Sequence, residues 1–214
     1  MIELLEKIVA RGAPILANRT HEILRRMYNW GISRDLVEVN PCLGIGKIAP
    51  EKRRERVLND DEIRAVWKAF DTLSPFISAK FKLLFLTGQR GGEVSKMRRV
   101  DIDGTRSWWT IPPEHSKNGF AHRVPLSEEA AAVVRKIEPL SECSEWLFPG
   151  VASGTPVRHP WREVASIRKA TGVDFVPHDL RRTMASRLTG DLGFERFVVG
   201  RVLNHAESGV TATY

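Results

Sequence analysis

Cysteine is scarce in this chain. Cys42 and Cys143 are the only two in 214 residues, with no CxxC pair and no histidine at metal-ligand spacing. That pattern excludes a disulfide scaffold and a zinc module, and it fits a reducing cytoplasm. No apolar run reaches the length of a membrane span, and no signal-like start is present. The reading is therefore a soluble, unexported protein with no membrane partner. Internal repeats and low-complexity segments are missing too. Acidic side chains are outnumbered: the net charge is +7 and the pI about 9.7, a balance that favours a polyanionic partner. What is present is 42% hydrophobic residues, enough for a core in one or two domains.

The basic excess is uneven. Between Arg158 and Arg187, Lys and Arg outnumber Asp and Glu seven to three. This region leads into the most informative stretch, from Pro177 to Tyr214. His178 and Arg181 are three apart, so on a helix both project from one face. Leu180, Met184 and Leu188 mark the buried side of that helix. Phe194, Phe197, Val198 and Val202 give a second helical stripe ending just before His205. Arg offers five donors in a rigid fork matched to phosphate oxygens and stays charged at any working pH. A phenol is a covalent nucleophile once its pKa of about 10 is lowered, which a cationic phosphate-binding pocket does. Histidines shuttle protons or donate to a phosphorane as its charge grows. His178, Arg181, His205 and Tyr214 together suit tyrosyl attack on a phosphodiester without a metal.

His178-x-x-Arg181, then Leu203-x-His205, then Gly209-Val210-Thr211 and Tyr214, resembles the signature of the tyrosine recombinases, the phage-integrase family. Upstream, Thr87 to Val94 resembles that family's first arginine motif, and Ser116-Lys117-Asn118-Gly119 its lysine hairpin. The match runs in order over about 125 residues. The resemblance implies that Arg90 and Arg181, aided by His178 and His205, hold the scissile phosphate. It makes Tyr214 the nucleophile, Lys117 the general acid and Glu93 a support for Arg90, with no metal and no cofactor. The implied partner is double-stranded DNA, bound by a homotetramer on synapsed sites and met by a monomer when free, in the nucleoid of the cytoplasm. Three rivals share features of this pattern: a cleavage-deficient integrase fragment that only binds DNA, a type IB topoisomerase-like enzyme, and a metal-dependent nuclease.

The fold expected is mainly α with a small antiparallel β-sheet (α+β). A recombinase-like catalytic domain spans 58–214 and ends at the nucleophile, and a basic linker spans 47–57. Residues 1–46 read as the carboxy-terminal part of a helical core-type DNA-binding domain, as in an amino-terminally shortened protein. Within that segment Asn18-Arg19-Thr20 precedes a stripe of Ile23, Leu24, Met27 and Tyr28, with Gly31 as a helix end and Asn40-Pro41 as a break. Asn59 and Glu62 form a capping box, so Asp60, Asp61 and Glu62 read as first-turn acids facing the helix dipole. Phe76 to Leu86 is a buried helix closed at Gly88, with Arg90 directly after it. Ile102, Trp108–Ile111 and His122–Leu126 are strand-like, Asp101 and Asp103 share one face, and Asn118-Gly119 is a hairpin turn with Lys117 at its tip. Ser127 caps a helix through Ile137, Trp146–Gly150 is a short buried piece, and Trp161 to Ala170 forms a basic helix.

Overall fold

A computed structural model describes residues 1–51, 54–158 and 160–205. The chain divides into two compact units, Met1–Arg54 and Glu55–Tyr214. The first contains α1 (Ile2–Ala10) and α2 (Pro14–Ile32), which pack on each other. Proline starts α2 because the first helical position needs no N–H. The stripe expected on α2 does not face inward: Ile23 and Met27 are 58% and 51% exposed. Polar docking, not apolar spacing, selects the inner face of Ala17, Asn18, His21 and Gly31. Asn18 donates to Ala49 O (2.8 Å) and accepts from the amides of Ile48 (3.0 Å) and Ala49 (3.2 Å). Asn40 anchors the break before Pro41, donating to Arg25 O and Asn29 Oδ1 and accepting from Cys42 N. Each buried amide thereby has its partners, and returning chain covers that side of the helix.

In the second unit, the Asn59–Glu62 capping box opens α3 (Asp60–Phe70): Glu62 N donates to Asn59 Oδ1 (2.9 Å), and Asn59 N to Glu62 Oε2 (3.0 Å). Next come α4 (Pro75–Thr87), α5 (Gly91–Ser95) and a 3₁₀ turn over Arg99–Asp101. Strands β1 (Trp108–Ile111) and β2 (His122–Pro125) pair antiparallel, from Trp108 opposite Pro125 to Ile111 opposite His122. They are followed by α6 (Glu128–Ile137), a 3₁₀ turn over Glu138–Ser141, α7 (Trp161–Thr171), α8 (Pro177–Gly190) and α9 (Arg196–Val202). The central helix is α4, which contacts α3, α5, α6 and α8. Phe81, Leu83 and Leu84 lie in a core shared with Phe70, Trp109, Val134, Phe148, Phe175 and Leu180. Lys80 is the exception: buried, it donates to Arg158 O (3.0 Å), and burial lowers its pKa to about 8. No helix among the described residues is long and apolar enough to cross a membrane.

Three local expectations change. Ile102 makes only an isolated bridge to Trp109, because the preceding residues turn as a 3₁₀ segment. Asp101 and Asp103 accordingly have separate tasks. Asp101 accepts two bonds from Arg98, and Asp103 accepts from the amides of Ser107 and Trp108. The hairpin connection spans 112–121 rather than two residues. Pro112 and Pro113 have no N–H with which to continue the ladder, and Gly119 takes the left-handed conformation at φ 73°. The stripe assigned to α9 is also displaced. Phe194, before the helix, and Phe197 and Val198, within it, are exposed, whereas Val199 and Leu203, four apart, face inward.

The stretch 47–57 has anchored ends: Ala49 is held by Asn18 in the first unit, and in the second Leu58 N donates to Thr183 Oγ1 (3.0 Å). Gly88 closes α4 in the left-handed conformation at φ 64°. A Cβ there would lie 2.5 Å from Met184 Sδ and 2.7 Å from Leu203 Cδ2. Gly88→Ala should therefore cost about 2–5 kcal/mol, from the strained backbone and the overlap together. Urea denaturation monitored by tryptophan fluorescence measures this, and an unchanged midpoint would contradict the close approach.

Candidate active site

The end of α4 and the end of α9 meet at one place. A helix C-terminus leaves carbonyls without intrahelical donors and carries partial negative charge. At α9 those carbonyls are capped by side chains from elsewhere in the unit. Val202 O accepts from Gln89 Nε2 (2.8 Å) and His122 Nε2 (3.1 Å). Leu203 O accepts from Arg181 Nη2, whose Nη1 donates to Gly88 O (2.6 Å). Asn204 O accepts from Arg90 Nη2 (2.9 Å) and Asn118 Nδ2 (2.8 Å). Consecutive carbonyls thus bring the guanidinium groups of Arg90 and Arg181 to one point.

The turn that places His205 is a left-handed helix cap. Asn204 has φ 51°, its amide donates to Arg201 O (3.1 Å), and the amide of His205 donates to Gly200 O (2.9 Å). Glu93 is buried and serves two partners. Its carboxylate accepts from Arg90 N (3.0 Å) and Arg90 Nη1 (2.9 Å), and also from the amide of Lys117 (3.2 Å). The loop bearing Lys117 is therefore tied to the arginine it faces. Asp179, at the start of α8, accepts from Val176 N (2.9 Å) and Arg182 Nη1 (2.9 Å), which sets the helix turn carrying His178 and Arg181.

Arg90, Glu93, Lys117, His178 and Arg181 line one cavity of about 670 Å³. His205 lines a separate, smaller groove between α8 and α9. Tyr214, with the Gly209-Val210-Thr211 stretch before it, lies outside the described residues. The sequence reading did not single out Gln89, Ser116, Asn118, His122 or Asn204. Gln89, Ser116 and Asn118 stood inside the quoted motifs and Asn204 inside Leu203-x-His205, but no spacing signalled that they share partners.

The cavity is strongly cationic. Burial, and then the charge of Arg90, lowers the Arg181 pKa to about 10. His178 is lowered by burial and by Arg182, Arg181 and Arg90, and His205 by burial and by Arg181 and Arg90. Both rings keep part of their surface in solvent, yet enough of each lies against protein for desolvation to count. Burial lowers His122 and His115 as well. Neutral imidazoles beside two arginines can accept a proton or donate an N–H. The guanidinium groups can receive an anion, since each carries five donors and the bonds to Glu93, Asn204 O, Gly88 O and Leu203 O engage only part of them.

Residues 56–214 match the model of the Phage integrase family. The chain belongs to that family, whose fold and order of elements its second unit carries. It is 27% identical over 212 residues to the prophage integrase IntA of Escherichia coli (strain K12), covering 97% of this chain and 51% of that protein. It is 24% identical to the integrase of Escherichia phage HK022 (99% and 60% covered) and 25% identical to the tyrosine recombinase XerC of Bacillus pumilus (strain SAFR-032) (89% and 67%). Among solved structures, a lambda integrase tetramer bound to a Holliday junction superposes with a TM-score of 0.74 at 20% identity, over 96% of this chain and 62% of that one. The chain spans about half to two thirds of the length of these relatives.

The histidine shifts predict a pH dependence. Each has a folded pKa below its unfolded value, so the unfolded chain binds more protons and stability falls as pH drops through about 6.5 toward the folded pKa values. Carboxylates with lowered pKa, such as Glu62, act only in a more acidic window. The melting temperature should therefore be lower at pH 5.5 than at pH 7.5, by about 2–4 °C for each kcal/mol lost. Scanning calorimetry at the two pH values tests this, and a rise on acidification would contradict it.

Proposed function

We propose that this chain breaks and rejoins duplex DNA as a tyrosine-type site-specific recombinase, in the integration or excision of a mobile element. One observation carries the reading: an arginine at the α4–α5 junction and another on α8 converge on adjacent carbonyls, with the Lys117 loop held to the same carboxylate that aims Arg90. Such a pocket suits a phosphodiester, which spreads negative charge over two non-bridging oxygens. Arg90 and Arg181 hold the scissile phosphate with His178 in the same cavity, and His205, which lines the groove between α8 and α9 and feels the charge of both arginines, is assigned to it from that side.

The Tyr214 oxygen forms a bond to phosphorus while the P–O5′ bond breaks. The tyrosyl proton passes to the neutral His178, and the Lys117 ammonium protonates the departing 5′-oxygen. The products are a 3′-phosphotyrosyl ester and a 5′-hydroxyl. Attack of a 5′-hydroxyl on that ester reverses the step and reseals the strand, so neither a nucleotide cofactor nor a metal is required. The active assembly is a homotetramer on synapsed DNA in the nucleoid, in line with the lambda integrase tetramer on its junction. The first unit belongs to the DNA-binding part and the second to the catalytic part.

Tyr214→Phe should bind duplex DNA as wild type does, yet give no covalent adduct on a nicked suicide substrate resolved by denaturing electrophoresis. An adduct from that variant would refute the assignment of the nucleophile. The wild-type adduct should form undiminished in EDTA, and its loss there would point to metal-dependent cleavage. Affinity measured by gel shift should fall steeply with salt, since the basic surface releases counterions from the phosphates.

A further inference from the structure

We propose that Asn204 is a positioning residue whose side chain brackets Lys117 and fixes the loop over 112–121 to the arginine pair. The observation is local and specific. Asn204 Nδ2 donates to Ser116 Oγ (3.1 Å), and Asn118 Nδ2 donates to Asn204 Oδ1 (3.2 Å) and Asn204 O (2.8 Å). The residues immediately before and after Lys117 are therefore both bonded to one side chain. The backbone oxygen of that same residue accepts from Arg90 Nη2 (2.9 Å). Among the described residues Lys117 itself is tied through its amide, to Glu93, and the residue is exposed. Asn204 thus sets where the lysine stem starts relative to the guanidinium groups.

Backbone conformation sharpens the point. At φ 51° the residue that ends α9 sits in the left-handed region, where glycine fits at no steric cost and asparagine is tolerated. If Asn204 served only to end the helix, Asn204→Gly would be neutral or stabilising, because glycine is the favoured residue at that position. If its side chain holds the loop, the same substitution keeps the turn and releases Lys117. This inference rests on the proposed role of Lys117 as general acid, so the test is built to separate the two.

The first measurement is hydrogen–deuterium exchange of the whole chain. In Asn204→Gly the amides over 116–119 should exchange faster, with α4 and the melting temperature unchanged. Ser116→Ala combined with Asn118→Ala should speed exchange of the same amides at least as much, since it also removes the bond from Asn118 to Asn204 O, and adding Asn204→Gly to that pair should change nothing further. The second measurement is adduct formation on two suicide substrates, one with the natural 5′-oxygen and one with a 5′-bridging sulfur. A thiolate leaves without needing a proton, so the sulfur substrate bypasses the general acid. Asn204→Gly should slow the oxygen substrate by about 100-fold, the scale expected when a catalytic group is displaced by an ångström. It should recover most of that loss on sulfur. Unchanged loop exchange, or equal slowing on both substrates, would overturn the proposal. If the wild-type chain forms an adduct with neither substrate, the recombinase reading fails instead, and the exchange data alone decide whether Asn204 holds the loop.

Discussion

The C-terminal carbonyls of α9 are the constraint on which the site depends. A short helix ends with its carbonyl oxygens unsatisfied and its dipole negative, and here Gln89, His122, Arg181, Arg90 and Asn118 supply the missing donors. These bonds serve the helix and the site at once. They satisfy buried carbonyls, and they stop two long cationic side chains from turning into solvent. Burial, and after it the charge of Arg90 nearby, holds the Arg181 pKa below its ordinary value. The Glu93 carboxylate and the carbonyls offset part of the repulsion between the two guanidinium groups, and an anion in the cavity would offset more.

Rigidity behind the arginines comes from α4. Its buried face lies in the core, and Gly88 ends it in a conformation that lets Met184 and Leu203 approach closer than any Cβ would permit. Arg90 therefore departs from a fixed platform, while Glu93, one turn into α5, aims its side chain and also holds the Lys117 amide. The arrangement is held by polar contacts across five segments: the α4–α5 junction, the 112–121 loop, the start of β2, α8 and the end of α9. No one segment supplies the whole set, so the site exists only when the second unit is folded. Its cationic character comes from the arginines that these bonds bring together.

Much of this was legible in the order of residues. Membership of the Phage integrase family was legible as a resemblance, in motifs that run in order along the chain, whereas the Asn59–Glu62 cap and the closure of α4 at Gly88 follow from local chemistry that acts over a few residues. The pairing of Glu93 with Arg90 belongs to the same class, since three residues on a helical turn suffice to bring them together. The misjudged points were of another kind. Ile23 and Met27 on α2, and Phe197 and Val198 on α9, have the spacing of a buried stripe and nevertheless face solvent.

Sequence by itself determined which residue types are available and which elements carry them, because capping, helical period and turn chemistry are set by near neighbours. Tertiary structure decided which face each helix buries, that Asp101 and Asp103 serve turns rather than one common face, and that Asn204 meets Ser116 and Asn118. The physical reason is range. A helix face is chosen by whatever donors and acceptors arrive from distant parts of the chain, and an unpaired buried carbonyl or amide costs enough to override a modest apolar preference.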